Sequence, residues 1–201
     1  QRPRPHLDDK IITSWNGHMI SALARAAQVL GEKRYLAAAK RAADFIRAKL
    51  YDPASGTLFR RYRDGEGGLA GQLDDYAFLV NGLLDLYEAS FDLAWLQLAL
   101  ALTEKQIDLF GDDVQGGFFE TSGADQSVLV RLKADYDGAE PTGNSVSALN
   151  LLRLAWITGN EAWRQRAGAT IKAFGERLNS YPPILPQMLV AHDLSESKPC
   201  Q

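Results

Sequence analysis

Three short runs of this sequence concentrate side chains suited to a hydroxyl-rich ligand. They are Asp8-Asp9-Lys10 followed by Trp15-Asn16, then Asp74-Asp75-Tyr76, then Asp135-Tyr136-Asp137 followed by Glu140-Pro141-Thr142-Gly143-Asn144-Ser145. Carboxylates accept hydrogen bonds from hydroxyls, and aromatic faces cover the C–H faces of a sugar ring. Two carboxyl groups whose environments push their pKa values apart can also divide general acid and base work. On this reading Asp74 and Asp75, with Asp9 or Asp137, are the proton-transfer candidates. Asn16, Tyr76 and Asn144 orient hydroxyls, Trp15 offers a stacking surface, and Glu140 joins the same cluster. Lys10, and Arg131 or Lys133, can meet a carboxylate or phosphate on a substrate. His18 lies two residues beyond Asn16 and can point into the same cleft, His6 can approach it by way of its loop, and His192 is assigned nothing. An Asp just before a helix is also an ordinary N-cap, a role open to Asp74, Thr142 and Ser14. Trp95, Trp156 and Trp163 read as core.

The elements that must position these residues repeat. Trp15 to Leu30 has apolar residues at helical spacing, Gly31 ends it, and Lys33 to Leu50 makes a return helix. Tyr76 to Ala89 and Ala94 to Phe110 follow the same plan about the turn Ser90-Phe91-Asp92. So do Asn144 to Ile157 and Glu161 to Leu178 about Thr158-Gly159-Asn160. Each return helix carries an aromatic residue followed four positions later by alanine: Tyr35, Trp95 and Trp163. Nineteen residues before those aromatics stand Asn16, Tyr76 and Asn144. Between hairpins run long glycine-bearing links with short-strand patterns at Leu58 to Tyr62, Phe118 to Thr121 and Val128 to Lys133. Short turns at one end and long loops at the other predict an all-α fold, a partial α/α toroid of antiparallel hairpins. Those hairpins cover about 13–50, 74–111 and 143–179, with a fourth beginning near 182. An open solenoid of the same unit is the alternative. Every long loop leads into the start of a hairpin's first helix, so those starts surround one cleft.

Composition narrows the function. A net charge of −3 with Lys and Arg scattered along the helices gives no basic face for nucleic acid. No apolar run is long enough to cross a bilayer, and Gln1-Arg2-Pro3-Arg4-Pro5 is not a signal peptide; a reducing cytosol is the expected setting. The single cysteine, Cys200, supports neither a disulfide framework nor a Cys-based zinc site, and three dispersed histidines make no metal set. No cofactor is expected.

Four segments, in order across nearly the whole chain, carry a resemblance. They are Arg4 through Gly17, Leu73-Asp74-Asp75-Tyr76-Ala77-Phe78-Leu79, Gly116-Gly117-Phe118-Phe119, and Asp137 through Ser145. Together they resemble the spermatogenesis-associated, thioredoxin-domain-containing protein family. That family joins a thioredoxin-like domain to a helical toroid similar to N-acylglucosamine 2-epimerases and six-hairpin glycosidases. The resemblance implies a later part of such a protein, without the thioredoxin-like domain and the earlier hairpins, which would be its partners. Epimerases of that type use histidines near the cleft, and here only His18 is so placed, which favours the carboxylates. The expected function is an enzyme that epimerises, isomerises or hydrolyses a sugar derivative. The alternative is a binding or scaffold module serving the thioredoxin-like domain. An incomplete ring exposes apolar helix edges, so the isolated piece is expected to dimerise or to be poorly soluble.

Overall fold

A computed structural model of the chain describes residues 2–5, 7–124 and 128–197. It begins with β1 (Ile11–Ile12), α1 (Thr13–Leu30) and α2 (Lys33–Lys49), followed by β2 (Tyr51–Asp52), β3 (Thr57–Arg63) and β4 (Glu66–Ala70). Then come α3 (Leu73–Ser90), α4 (Leu93–Phe110), α5 (Gly143–Thr158), α6 (Glu161–Ala173), α7 (Gly175–Ser180), a 3-10 turn at Pro182–Ile184, and α8 (Pro186–Glu196). The first helices α1, α3, α5 and α8 pack side by side in that order, while α2, α4 and α6 stand behind their own partners. This is the two-layered wall of a partial helical toroid.

The three hairpin turns share one construction. Gly31, Phe91 and Gly159 end the first helices in the left-handed conformation, and each donates its N–H to the carbonyl four residues back. Asp92 and Asn160 then cap the return helices, each accepting from the N–H two residues on. At the other end only Thr142 acts as the expected side-chain cap, accepting from the Ser145 N–H. The cap positions of α1 and α3 are Ile12 and Gln72, so Ser14 and Asp74 lie inside their helices.

Glycine lets the inner layer close. A Cβ on Gly17 would lie 2.5 Å from the Phe78 carbonyl, and one on Gly82 would lie 2.5 Å from the Gly17 oxygen. The backbones of α1 and α3 therefore touch where any side chain would hold them apart. Behind this contact lie Ile20, Ile46, Leu83, Trp95, Phe110, Leu151 and Trp163, all buried. Trp156, expected in the core, is instead 39% exposed.

Three element predictions need correction. The expected helix Glu161 to Leu178 breaks at Phe174, where Gly175 starts the short α7. The expected strands at Phe118 to Thr121 and Val128 to Lys133 form no ladder among the described residues. Phe118 makes only an isolated antiparallel bridge to Gly111. The fourth hairpin is represented among the described residues by its first helix alone. The β3 pattern did form a strand: it pairs antiparallel with β1, β2 and β4.

Candidate functional site

Side chains tie each inner-helix start to the next. Asp75 on α3 accepts the Ser14 N–H of α1 at 3.1 Å. Asp74 presses against Gly143, the first residue of α5, so closely that a Cβ there would lie 2.6 Å from its Oδ1. Asp137 accepts the Thr142 N–H before α5 at 2.7 Å and the Gln187 N–H of α8 at 2.9 Å. The starts of four helices thus form one rim, where the positive ends of the helix dipoles favour anionic or hydroxyl-bearing ligands.

Most of the residues expected to touch a ligand belong to this framework. Asp75 is fully buried; besides Ser14 it accepts the Gln72 N–H at 2.9 Å and faces Arg60 at 3.5 Å. Burial still raises its pKa, against those hydrogen bonds and the Arg60 charge. Asp137 is 8% exposed, with both oxygens engaged as above. The Tyr76 hydroxyl accepts the Leu58 N–H at 2.8 Å, and its ring is buried. Asn144 accepts the Phe118 N–H and donates to the Phe118 carbonyl, at 2.7 and 2.8 Å. Asn16 donates to the Ile12 carbonyl at 2.8 Å. The equivalent positions Tyr76 and Asn144 therefore clamp the loop that precedes their helix, which explains their regular spacing without a ligand. Asp9 pairs with Arg63 at 2.9 Å and Lys10 with Asp8 at 3.3 Å, both on the surface. Lys133 holds Asp112 and the Gly116 carbonyl, and Arg131 holds the Thr121 and Leu109 carbonyls. His6 lies outside the described residues.

Four predicted residues remain available. Asp74 is half-buried at the start of α3, and no hydrogen bond ties it among the described residues. Burial foremost, then the charges of Asp75, Glu140 and Glu120, push its pKa up to about 6, with Arg60 opposing. Glu140 is exposed in the loop before α5, with one oxygen 3.8 Å from the Nε2 of His18, too long for a hydrogen bond. That Nε2 is itself buried and unpartnered. Burial lowers the His18 pKa, more than Glu140 raises it, so the ring is neutral near pH 7. Trp15, one turn earlier on α1, is 62% exposed.

Sequence reasoning missed what lies beneath His18. The His18 ring lies on Phe78 at 4.1 Å between centroids. Phe78, Ala77 and Val146 form a small apolar cluster of their own, apart from the main core. Their signal was present in the Asp74-Asp75-Tyr76-Ala77-Phe78 run, but an apolar residue one turn past an acidic pair reads as ordinary core. Further along the same helices the buried Asp85 accepts two hydrogen bonds from Arg25, both at 3.0 Å, one from Ser21 and one from Arg153. This ties α1, α3 and α5 together a second time.

The chain is 45% identical over 199 residues to human spermatogenesis-associated protein 20, a match covering 94% of this chain and 25% of that protein. It therefore spans about a quarter of the length of the curated relatives it matches. No family model matches the chain. Among solved structures it is similar to a cellobiose 2-epimerase from Spirochaeta thermophila, with a TM-score of 0.66 and 22% identity, covering 82% of this chain and 43% of that one. It is also similar to an α-mannanase of glycoside hydrolase family 76 from Bacteroides thetaiotaomicron. There the TM-score is 0.71 at 15% identity, covering 94% of this chain and 54% of that one. At these identities the likeness is one of fold, the helical toroid of epimerases and six-hairpin glycosidases.

Proposed function

Proceeding from the chain's homology to one quarter of spermatogenesis-associated protein 20, we propose that it forms about half of a sugar-binding toroid. In it, Asp74 transfers a proton during cleavage of a glycosidic bond. The observation that carries this reading is Asp74 itself, a half-buried carboxyl held near 6 at a rim built from four helix starts. At neutral pH a useful fraction of it is protonated, which suits a general acid that protonates a leaving oxygen. Glu140, exposed and near enough for its charge to act on Asp74, supplies the second carboxyl, either to activate water or to accept a substrate hydroxyl. Neutral His18, with its free Nε2 over Phe78, offers a further hydrogen bond to the sugar, and Trp15 a face for its C–H bonds. The solved neighbours named above include a sugar epimerase and a mannanase, which supports the substrate class without choosing the reaction.

The test is turnover by the full-length protein on cellobiose and α-1,6-mannobiose, with products resolved by chromatography. Hydrolysis lost in Asp74→Asn and falling as pH rises through about 6 supports the reading; an epimer as product replaces hydrolysis with epimerisation. Turnover that Asp74→Asn leaves intact refutes the role of Asp74. A second reading, a non-catalytic scaffold serving a thioredoxin-like domain, is favoured by the locking of Asp75 and Asp137 into the framework. Binding of a protein client with no sugar turnover would favour it.

A further inference from the structure

Beside Asp74 lies a cavity of about 400 Å³ between the β3–β4 hairpin and the segment after Phe119. Its walls include Arg60, Gln72, Thr121 and Ser122 as polar groups and Leu69 and Val128 as apolar ones. Its place next to the cleft follows from three contacts. Gln72 is the cap residue of α3, two positions before Asp74. The Leu73 N–H at the first position of α3 donates to the Glu120 carbonyl at 3.1 Å, which sets Thr121 against that helix start. The charges of Arg60 and Glu120 both act on Asp74.

Two features mark the cavity as more than a packing gap. Among the described residues the buried Thr121 Oγ1 has no hydrogen-bond partner, an arrangement folded proteins rarely keep without a use. Leu69 has φ 61, and the β3–β4 register would set it opposite Arg60, yet that pair is missing from the ladder. A bulky residue held left-handed is strained, and here the strain leaves Leu69 63% exposed at the cavity wall.

The chemistry selects the occupant. Arg60 is the cavity's only cation among the residues lining it, and it already faces the Asp75 carboxylate and the Gln72 amide oxygen. Asp74 and Glu120 stand close by, so an anionic group would meet repulsion. A neutral ligand with hydroxyls for Arg60, Gln72, Thr121 and Ser122, and with C–H faces for Leu69 and Val128, fits all of them. The volume lies within the roughly 300–1,000 Å³ usual for small-ligand sites.

We infer that this cavity is a second sugar subsite, so that the substrate of the Asp74 cleft is an oligosaccharide of two or more units. The inference rests on the sugar-cleaving reading above. One unit lies over Asp74, Glu140 and Trp15, and the next enters the cavity.

The experiment is calorimetric titration of the full-length protein with glucose, mannose, cellobiose and α-1,6-mannobiose. At least one disaccharide is expected to bind about tenfold or more tighter than both monosaccharides. Thr121→Val, which keeps the shape and removes an unpartnered hydroxyl, should weaken that disaccharide about three- to tenfold without lowering the melting temperature. Ser122→Trp, which fills the cavity from a partly exposed position, should bring it to the monosaccharide level. Monosaccharide affinity should be unchanged in both variants. Monosaccharides that bind as tightly as disaccharides overturn the subsite while leaving the sugar reading standing, as do variants that weaken both alike or neither. Binding of no sugar at all overturns the sugar reading and the subsite with it.

Discussion

Replacing Asp74 with asparagine should remove the proposed proton donor and, at the same time, make the protein more stable above pH 6. Its pKa rises from 3.8 to about 6 in the folded state. At 1.36 kcal/mol per pKa unit, the ionised carboxylate costs the fold at most roughly 3 kcal/mol. Partial solvent access lowers that ceiling, and a carboxylate in the first turn of α3 gains about 0.3–1 kcal/mol from the helix dipole, which asparagine forfeits. A net gain of about 1 kcal/mol remains. It should appear as a melting temperature roughly 2–4 °C above the parent at pH 7–8. The sign follows from proton binding. Between pH 4 and 6 the folded chain holds a proton at Asp74 that the unfolded chain has released, so the parent loses stability as pH rises through that window. The advantage of the variant should therefore be absent near pH 4, grow toward pH 6 and stay level above it. Melting curves of parent and variant across pH 4–8 measure the difference directly, because other titrations are common to both. A variant equally or less stable at pH 8, or a difference that does not change with pH, would refute the strained-carboxyl argument.

Other substitutions test the scaffold. Asp75→Asn presents an amide N–H₂ to donors from Ser14, Gln72 and Arg60, and denaturant titration should show a loss of about 1–3 kcal/mol. Gly17→Ala sets a methyl 2.5 Å from the Phe78 backbone and should cost about 1–3 kcal/mol or more. Gly168→Ala on α6 meets nothing within 4 Å and should instead gain about 0.5–1 kcal/mol; equal effects from the two alanines would contradict the close approach of α1 and α3. Phe91→Gly, at φ 53 in the turn where the other two hairpins have glycine, should stabilise by about 0.5–1 kcal/mol, read as a rise in melting temperature.

The ring architecture was legible in the sequence because it rests on periodicity. Apolar spacing and the Gly31 and Gly159 punctuation located the first two hairpins and α5 to within a few residues. The break at Phe174 was not legible, since Glu161 to Leu178 keeps an unbroken helical pattern and only Gly175 hints at the stop. The strands expected after Phe110 failed because Arg131 and Lys133 hold the loop through side-chain bonds to carbonyls in place of ladder pairing. At the site, sequence singled out the rim but not the roles within it. Asp74 and Asp75 are indistinguishable as letters, yet consecutive helix positions point about 100° apart. One therefore enters the framework while the other is left beside the cleft. Asn16, Tyr76 and Asn144 drew attention by recurring, and for Tyr76 and Asn144 the recurrence marks a loop clamp that each unit uses. A ligand site needs its residues once.

The loop clamps carry a consequence for how this chain can be cut and extended. Long connections are where insertions, tags and proteolytic nicks are usually tolerated. Here the connection after α2 is fastened to α1 through the Thr13 hydroxyl on the Phe59 carbonyl, and to α3 through Tyr76. The connection after α4 is fastened to α3 through Glu120 and to α5 through Asn144. Each loop is a rivet between neighbouring staves, and lengthening it would pull two helices out of register. Among the described residues, the short turns at Gly31, Phe91 and Gly159 make hydrogen bonds only within their own hairpin. Circular permutation or insertion of a fluorescent domain should therefore succeed at the tight ends of this barrel and fail at its loose-looking ones, which reverses the usual expectation.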